Sequence, residues 1–270
     1  MELRPWALLL GLSLLPGLAL AAGKCERLVI TGSPDTPPLL WRDPQDPTHL
    51  IGATADVLQQ VTKDLGVKID LLYGGNRSMA LDEVRSGRMD IFADAPLNHA
   101  QLGNFDYIHP ALVQTDYRVW TRTDSALVYA SATDLQGFKG AASERARLSQ
   151  GFETLAQHLT LQRFPSLTPA FQKLLLGEVD YVLAGRYSGM AMAQTLGMSN
   201  DLIARDTPVD QAGLHLAISH NSACNDPWLR GQLAKKMTEL PGSGVTEAAL
   251  QRNLERWKAQ LQQPVGTPTQ

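Results

Sequence analysis

From residue 53 onward the hydrophobic positions change period along the chain. Val57, Leu58, Val61 and Leu65 recur at helical spacing, and Gly66 stands where a glycine closes a helix. VKIDLLY (67–73) alternates and is rich in β-formers, which predicts a strand. After the polar GGNRS, residues 79–86 predict a second helix closed by Gly87, and MDIFA a further strand. With LVITGS at 28–33 as a strand, the order is β-loop-α-β-α-β, which predicts a parallel sheet covered by helices. Between them, SPDTPPLLW (33–41) carries three prolines and is expected to be irregular.

The same pattern returns later. GRMDIFADA (87–95) has an echo in GEVDYVLAG (177–185): glycine, polar, apolar, aspartate, then a short apolar run. Each copy reads as a helix-closing glycine followed by a strand aimed at a loop. The elements before the second copy are a strand through FKGA, a helix in RLSQGFETLAQHL, the β-like LTLQRF, and a helix starting with Thr168 as N-cap and Pro169 at its first position. Two copies predict two α/β lobes. YRVWTR (117–122) and GLHLAIS (213–219) read as strands passing between them. The expected division is residues 25–115 with 213–260 for the first lobe and 116–212 for the second. Two helices separated by PGSG end the chain, and 261–270 reads as a disordered tail. Ligands of such sheets bind beyond the carboxyl ends of the strands, so loops 33–41, 74–78 and 94–101 should converge.

Composition changes this picture little. The chain has 270 residues and a formal net charge of -3 with no long run of one sign, which argues against nucleic acid and a basic membrane-surface patch. The N-terminus adds more. Arg4, an apolar stretch from Trp6 to Leu20 and the Ala19-Leu20-Ala21 pattern predict a cleaved secretory signal over 1–21; a membrane anchor is the alternative, but the run is short for a span. Export to the periplasm makes a bridge between the only two cysteines, Cys25 and Cys224, the expectation, against two buried free thiols. No CxxC, HExxH or clustered ligand spacing supports a metal, and no cofactor is expected.

In this order and spacing, several marks resemble the family-3 periplasmic solute-binding proteins, which include the amino-acid receptors of ABC importers. They are Pro37-Pro38, L-x-G-A leading through a helix to LGV (50–67), L-x-x-V-x-S-G-x-x-D (81–90), FDYIHPAL (105–112), DLQG (134–137) and LLLGEVDYVLAG (174–185). The resemblance covers about residues 28–257 and implies two lobes closing on a ligand about two hinge strands, the first lobe discontinuous. It also implies a small-molecule ligand, the membrane subunits of an importer as partners, and a monomer.

Two anchors that the family's amino-acid receptors use are missing. Gln101 stands where the carboxylate-binding arginine of T-x-x-R is expected, and Gly185 where the ammonium-binding aspartate is expected. Thr36 replaces the usual aromatic of the first loop. A buried zwitterion without partners is costly, so the resemblance does not extend to an ordinary α-amino acid. Arg77, at a place the family uses for ligand contact, Arg186 beside Gly185, and Arg145 and Arg147 near a helix start would together make the cleft cationic and suit a small, polar, anionic ligand. Each reads equally as a solvated surface arginine. Asp94 at a strand end competes, favouring a cationic group or serving as a turn cap, and Trp41 and Tyr187 are candidates to line the cleft or to pack in the core.

Three functions are therefore weighed: a non-catalytic binding protein for an importer, a ligand sensor or scavenger without one, and an enzyme on the same fold, since cyclohexadienyl dehydratases resemble this family too. No catalytic constellation favours the third, because Gln101 removes the arginine of the anion clamp.

Overall fold

The computed structural model describes residues 25–144, 146 and 150–262. The expected signal, Arg145, Arg147 and the tail from 263 lie outside the described residues. Strand β1 (Arg27–Thr31) leads into a small antiparallel sheet of β2 (Asp35–Thr36), β3 (Leu40–Arg42) and β4 (Leu50–Ile51). Then come α1 (Ala53–Leu65), β5 (Lys68–Leu71), α2 (Arg77–Arg85), β6 (Ile91–Pro96), β7 (Phe105–Tyr107) and β8 (Val113–Arg122). The middle of the chain supplies β9 (Lys139–Ser143), α3 (Gln150–Ala156), β10 (Thr160–Phe164), α4 (Leu167–Leu175), β11 (Tyr181–Gly185) and α5 (Arg186–Thr195). It ends in β12 (Leu202–Ser219), α6 (Pro227–Glu239) and α7 (Val245–Gln262).

The main sheet runs β10-β9-β11-β8-β12-β6-β1-β5, with β7 also on β12. At one end β1 pairs in parallel with β5 and β6; at the other β9 pairs in parallel with β10 and β11. Between these parallel halves lie β8 and β12, antiparallel to each other over most of their length. The result is a two-lobed α/β fold in which two long strands join the lobes. β11 shows why the strands of each lobe read as apolar runs: Val182 and Ala184 enter one core with Phe171 and Trp120, while Tyr181 and Leu183 enter another with Leu135 and Phe152. Both faces are covered, so both alternating sets are apolar.

The repeated phrase has the same geometry in both places. Gly87 and Gly177 follow their helices with φ of 81° and 72°, in the left-handed region that glycine adopts without strain. Asp90 then reaches sideways to the neighbouring strand: its backbone N–H donates to the Val29 carbonyl, and its Oδ2 accepts from the Val29 N–H, both at 2.7 Å. Asp180 does this to Lys139 with the same two distances. The aspartate thus takes the place of a further ladder bond where the parallel pair begins, a supporting role, as expected of a residue in this phrase. The copies differ in burial. Asp90 is half-buried and also accepts from the Ser222 hydroxyl at 2.5 Å, whereas Asp180 is exposed. Asp90→Ala should therefore cost about 2 kcal/mol and Asp180→Ala about 1 kcal/mol or less, read by urea denaturation. Equal costs would show that the extra bond and the burial contribute nothing.

Several boundaries move. The proline-rich stretch is not wholly irregular: Pro37 and Pro38 occupy the connection between β2 and β3, so neither has to donate to a ladder. Helix α4 begins at Leu167, with Ser166 before it, so Thr168 is not the cap and Pro169 is not the first residue. Pro169 still lies in the first turn, where its missing N–H costs no helical bond. Thr168 instead directs its hydroxyl at the Met192 sulfur, 3.7 Å away. Helix α2 starts at Arg77 because Asn76 accepts from the Met79 N–H as its cap. Leu261 and Gln262 belong to α7 and not to a tail. Cys25 and Cys224 are bridged, Cα to Cα 5.3 Å.

Candidate functional site

The carboxyl ends of β1 and β6 lie side by side, since these strands are parallel neighbours. The residues just past those ends come together with the start of α2. Asp94, 4% exposed, accepts from the Ser33 backbone N–H through Oδ1 at 2.9 Å. Its Oδ2 lies 3.9 Å from Nη1 of Arg77, and that same nitrogen donates to the Ser33 hydroxyl. The guanidinium carbon of Arg77 sits 5.0 Å from the centre of the Phe92 ring. Gly32 permits the approach: a Cβ there would lie 2.8 Å from Asp94 Oδ1 and 2.5 Å from a Leu40 methyl.

This is a charged pair in a largely dry setting, with the acid buried and the base about one-third exposed. Burying a carboxylate without donors is costly. Here one oxygen is satisfied by backbone and the other is compensated by a nearby guanidinium. Nη1 of Arg77 is committed to Ser33, and among the described residues its other N–H groups meet no acceptor. Tyr107 completes the neighbourhood. Burial pushes its hydroxyl up, opposed by a bond from the Asn98 backbone and by the charge of Arg77. Chemically the cluster can present positive hydrogen-bond donors beside a fixed negative charge.

Of the residues singled out from sequence, Arg77 and Asp94 meet here. Gln101 is held elsewhere: its Oε1 accepts from Arg85 Nη2 at 3.4 Å and from Asn104 Nδ2 at 3.3 Å. Arg186 opens α5, its guanidinium carbon 5.3 Å from the Tyr187 ring centre. Trp41 and Tyr187 are not at the cluster but buried against α7. Trp41 Nε1 donates to Gln260 Oε1 at 3.0 Å, and the Tyr187 hydroxyl donates to Glu247 Oε2 at 2.6 Å. Burial, followed by that bond to a carboxylate, holds the Tyr187 hydroxyl up to about 12, and the same bond lowers Glu247. Ser33 was not singled out; its position immediately past a strand end was the available signal. Two surface cavities, one lined by Asp43, Asp46, His49 and Asp70 and the other by Trp120, Met190 and Gln194, share no residue with the cluster. Among the described residues no group of three or more potential ligands could hold a metal, and no helix is long and apolar enough to cross a membrane.

Residues 28–257 match the bacterial extracellular solute-binding proteins, family 3. No curated protein matches the chain. Similar solved structures include the amino acid ABC transporter substrate-binding protein AbpA from Streptococcus pneumoniae bound to L-arginine, at 17% identity and TM-score 0.63, covering 86% of this chain and 96% of that one. Substrate-binding domain 2 of Lactococcus lactis GlnP, in an open conformation, matches at 17% identity and TM-score 0.68, covering 86% and 97%. A histidine kinase sensor domain with similarity to periplasmic binding proteins matches at 19% identity and TM-score 0.62, covering 85% and 96%. At these identities the likeness speaks for the fold.

Proposed function

The chain belongs to the bacterial extracellular solute-binding proteins, family 3, and on that premise we propose that it is a non-catalytic periplasmic binding protein, exported by a cleaved signal at 1–21. It captures a small polar solute between a first lobe of residues 25–115 with 213–260 and a second of 116–212, as a monomer, and delivers it to the membrane subunits of an ABC importer. The observation that carries this reading is the meeting of Ser33, Arg77 and Asp94 beyond the carboxyl ends of β1 and β6, where sheets of this kind bind ligands. The free N–H groups of Arg77 favour a solute with an acidic group, received as a guanidinium receives a carboxylate. Arg186 would add positive charge from the second lobe. Asp94 sets a limit on this, because a ligand that is negative throughout would meet its carboxylate as well.

The test is a thermal-shift screen of refolded protein against carboxylates, amino acids, sugar acids, polyamines and short peptides. A ligand at a hundred times its Kd stabilises by about 2.7 kcal/mol. Arg77→Ala should then weaken binding of the best hit about ten- to a hundredfold, a loss suited to a hydrogen bond to a charged group. Unchanged affinity in both Arg77→Ala and Arg186→Ala would remove the acidic group from the proposal. A hit converted to product on a chromatogram would remove the word non-catalytic.

The sensor-domain likeness supports a second reading, in which the same clamp reports its ligand to a signalling receptor. Uptake of the labelled ligand by cells, lost on deletion of the protein, would decide for transport.

A further inference from the structure

Helix α7 has a partner in each lobe. Toward the first, Asn253 Nδ2 donates to Asp56 Oδ2 of α1 at 2.7 Å, and Trp257 packs edge to face on Trp41, centroids 5.7 Å apart. Toward the second, Glu247 accepts from Tyr187 at the start of α5, and Trp257 Nε1 donates to Thr195 Oγ1 at its end, 3.2 Å. These two contacts follow the same order along both helices, so α5 and α7 run parallel and side by side for roughly 12–15 Å. Apolar packing reinforces the line. Tyr187, 7% exposed, is part of the core that contains Leu28, Val57, Leu229 and Leu250, which is the first lobe's, while Met190 one turn later touches both lobes' cores.

An aromatic ring from the second lobe is therefore sealed inside the first. Rotation of the lobes about β8 and β12 must either keep the α5–α7 line in place as its axis or withdraw that ring. We propose that α7 and Tyr187 form a third, non-covalent tie between the lobes that confines their motion to rotation about the α5–α7 line and excludes wider openings. The tie needs no ligand, so its test is separate from that of the solute.

Spin labels on Lys63→Cys in α1 and Gln157→Cys beyond α3, both exposed sites, report the distance between the lobes by pulsed electron resonance, with the native disulfide left oxidised and no ligand added. The expected result is one narrow distribution in the labelled parent and a broader one, extending to longer distances, in Tyr187→Ala. An unchanged distribution in a Tyr187→Ala protein that still unfolds cooperatively overturns the proposal. If that variant does not fold, Tyr187→Phe combined with Trp257→Phe keeps the rings and removes both bonds to α5 and α7. Broadening there supports the tie, and an unchanged distribution overturns it.

Discussion

Replacing both Cys25 and Cys224 by serine should lower the stability of the folded protein more than any other change considered. The two sulfurs close a loop with a sequence separation of 199. The chain-entropy estimate for a loop of that size is about 5 kcal/mol, with any residual structure in the unfolded chain reducing it. At the scale of this domain that is a fall in Tm of about 10 °C or more. The position of the bridge adds a reason for a large effect. Cys25 lies just before β1, which sits between β5 and β6 in the main sheet, and Cys224 lies just before α6. The bridge therefore anchors the start of a central strand to the returning end of the same lobe. Scanning calorimetry with and without reductant, alongside the double serine variant, measures it. A loss below about 1 kcal/mol would mean that the unfolded ensemble is already held compact without the bridge.

The second large effect is one of sign. Gly→Ala inside a helix ordinarily stabilises by about 0.5–1 kcal/mol, because alanine loses less backbone entropy. Gly231, in α6, meets no atom within 4 Å of its would-be Cβ and should behave that way. Gly189, in α5, should do the reverse. A Cβ there would lie 2.2 Å from Cε2 of Trp120, with Cζ2 at 2.4 Å and Nε1 at 2.5 Å. Those are atoms of a rigid ring, itself 4% exposed and on β8, so no flexible chain end can step aside. Helix α5 must lift from the sheet instead, at a cost of about 2–3 kcal/mol or more. Chemical denaturation of both variants gives the comparison. A Gly189→Ala protein as stable as Gly231→Ala would mean that α5 is not seated on Trp120 as described.

What could be read from sequence was what local spacing encodes. The period of Val57, Leu58, Val61 and Leu65 gives α1, and the apolar runs before Ala95 and Gly185 give β6 and β11, because each face is buried within a few residues of its own chain. The meeting of Arg77 and Asp94 was legible one step further, since parallel strands deliver their following loops to one edge. The contacts of Trp41 and Tyr187 were not. Trp41 finds Gln260 across 219 positions and Tyr187 finds Glu247 across 60, and no periodicity distinguishes an aromatic that lines a cleft from one that seals a helix. The helix starts at Leu167 and Arg77 were missed for a plainer reason: Ser166, Thr168, Asn76 and Ser78 are all competent caps, and one-residue choices among them depend on what the first turn packs against.

The order of strands in the sheet also dictates an order of completion during synthesis. β9, β10 and β11 lie close together in sequence and pair only with each other and with β8, which precedes them. β6 instead waits for β12, pairing Ile91 with Ile218, and α1 waits for α6 and α7. The lobe that is made first is therefore finished last. Until the ribosome has released the final helices, it presents an unpaired strand edge and an uncovered apolar helix face, the two surfaces most prone to wrong partners. The late half of the chain serves the early half as its cover.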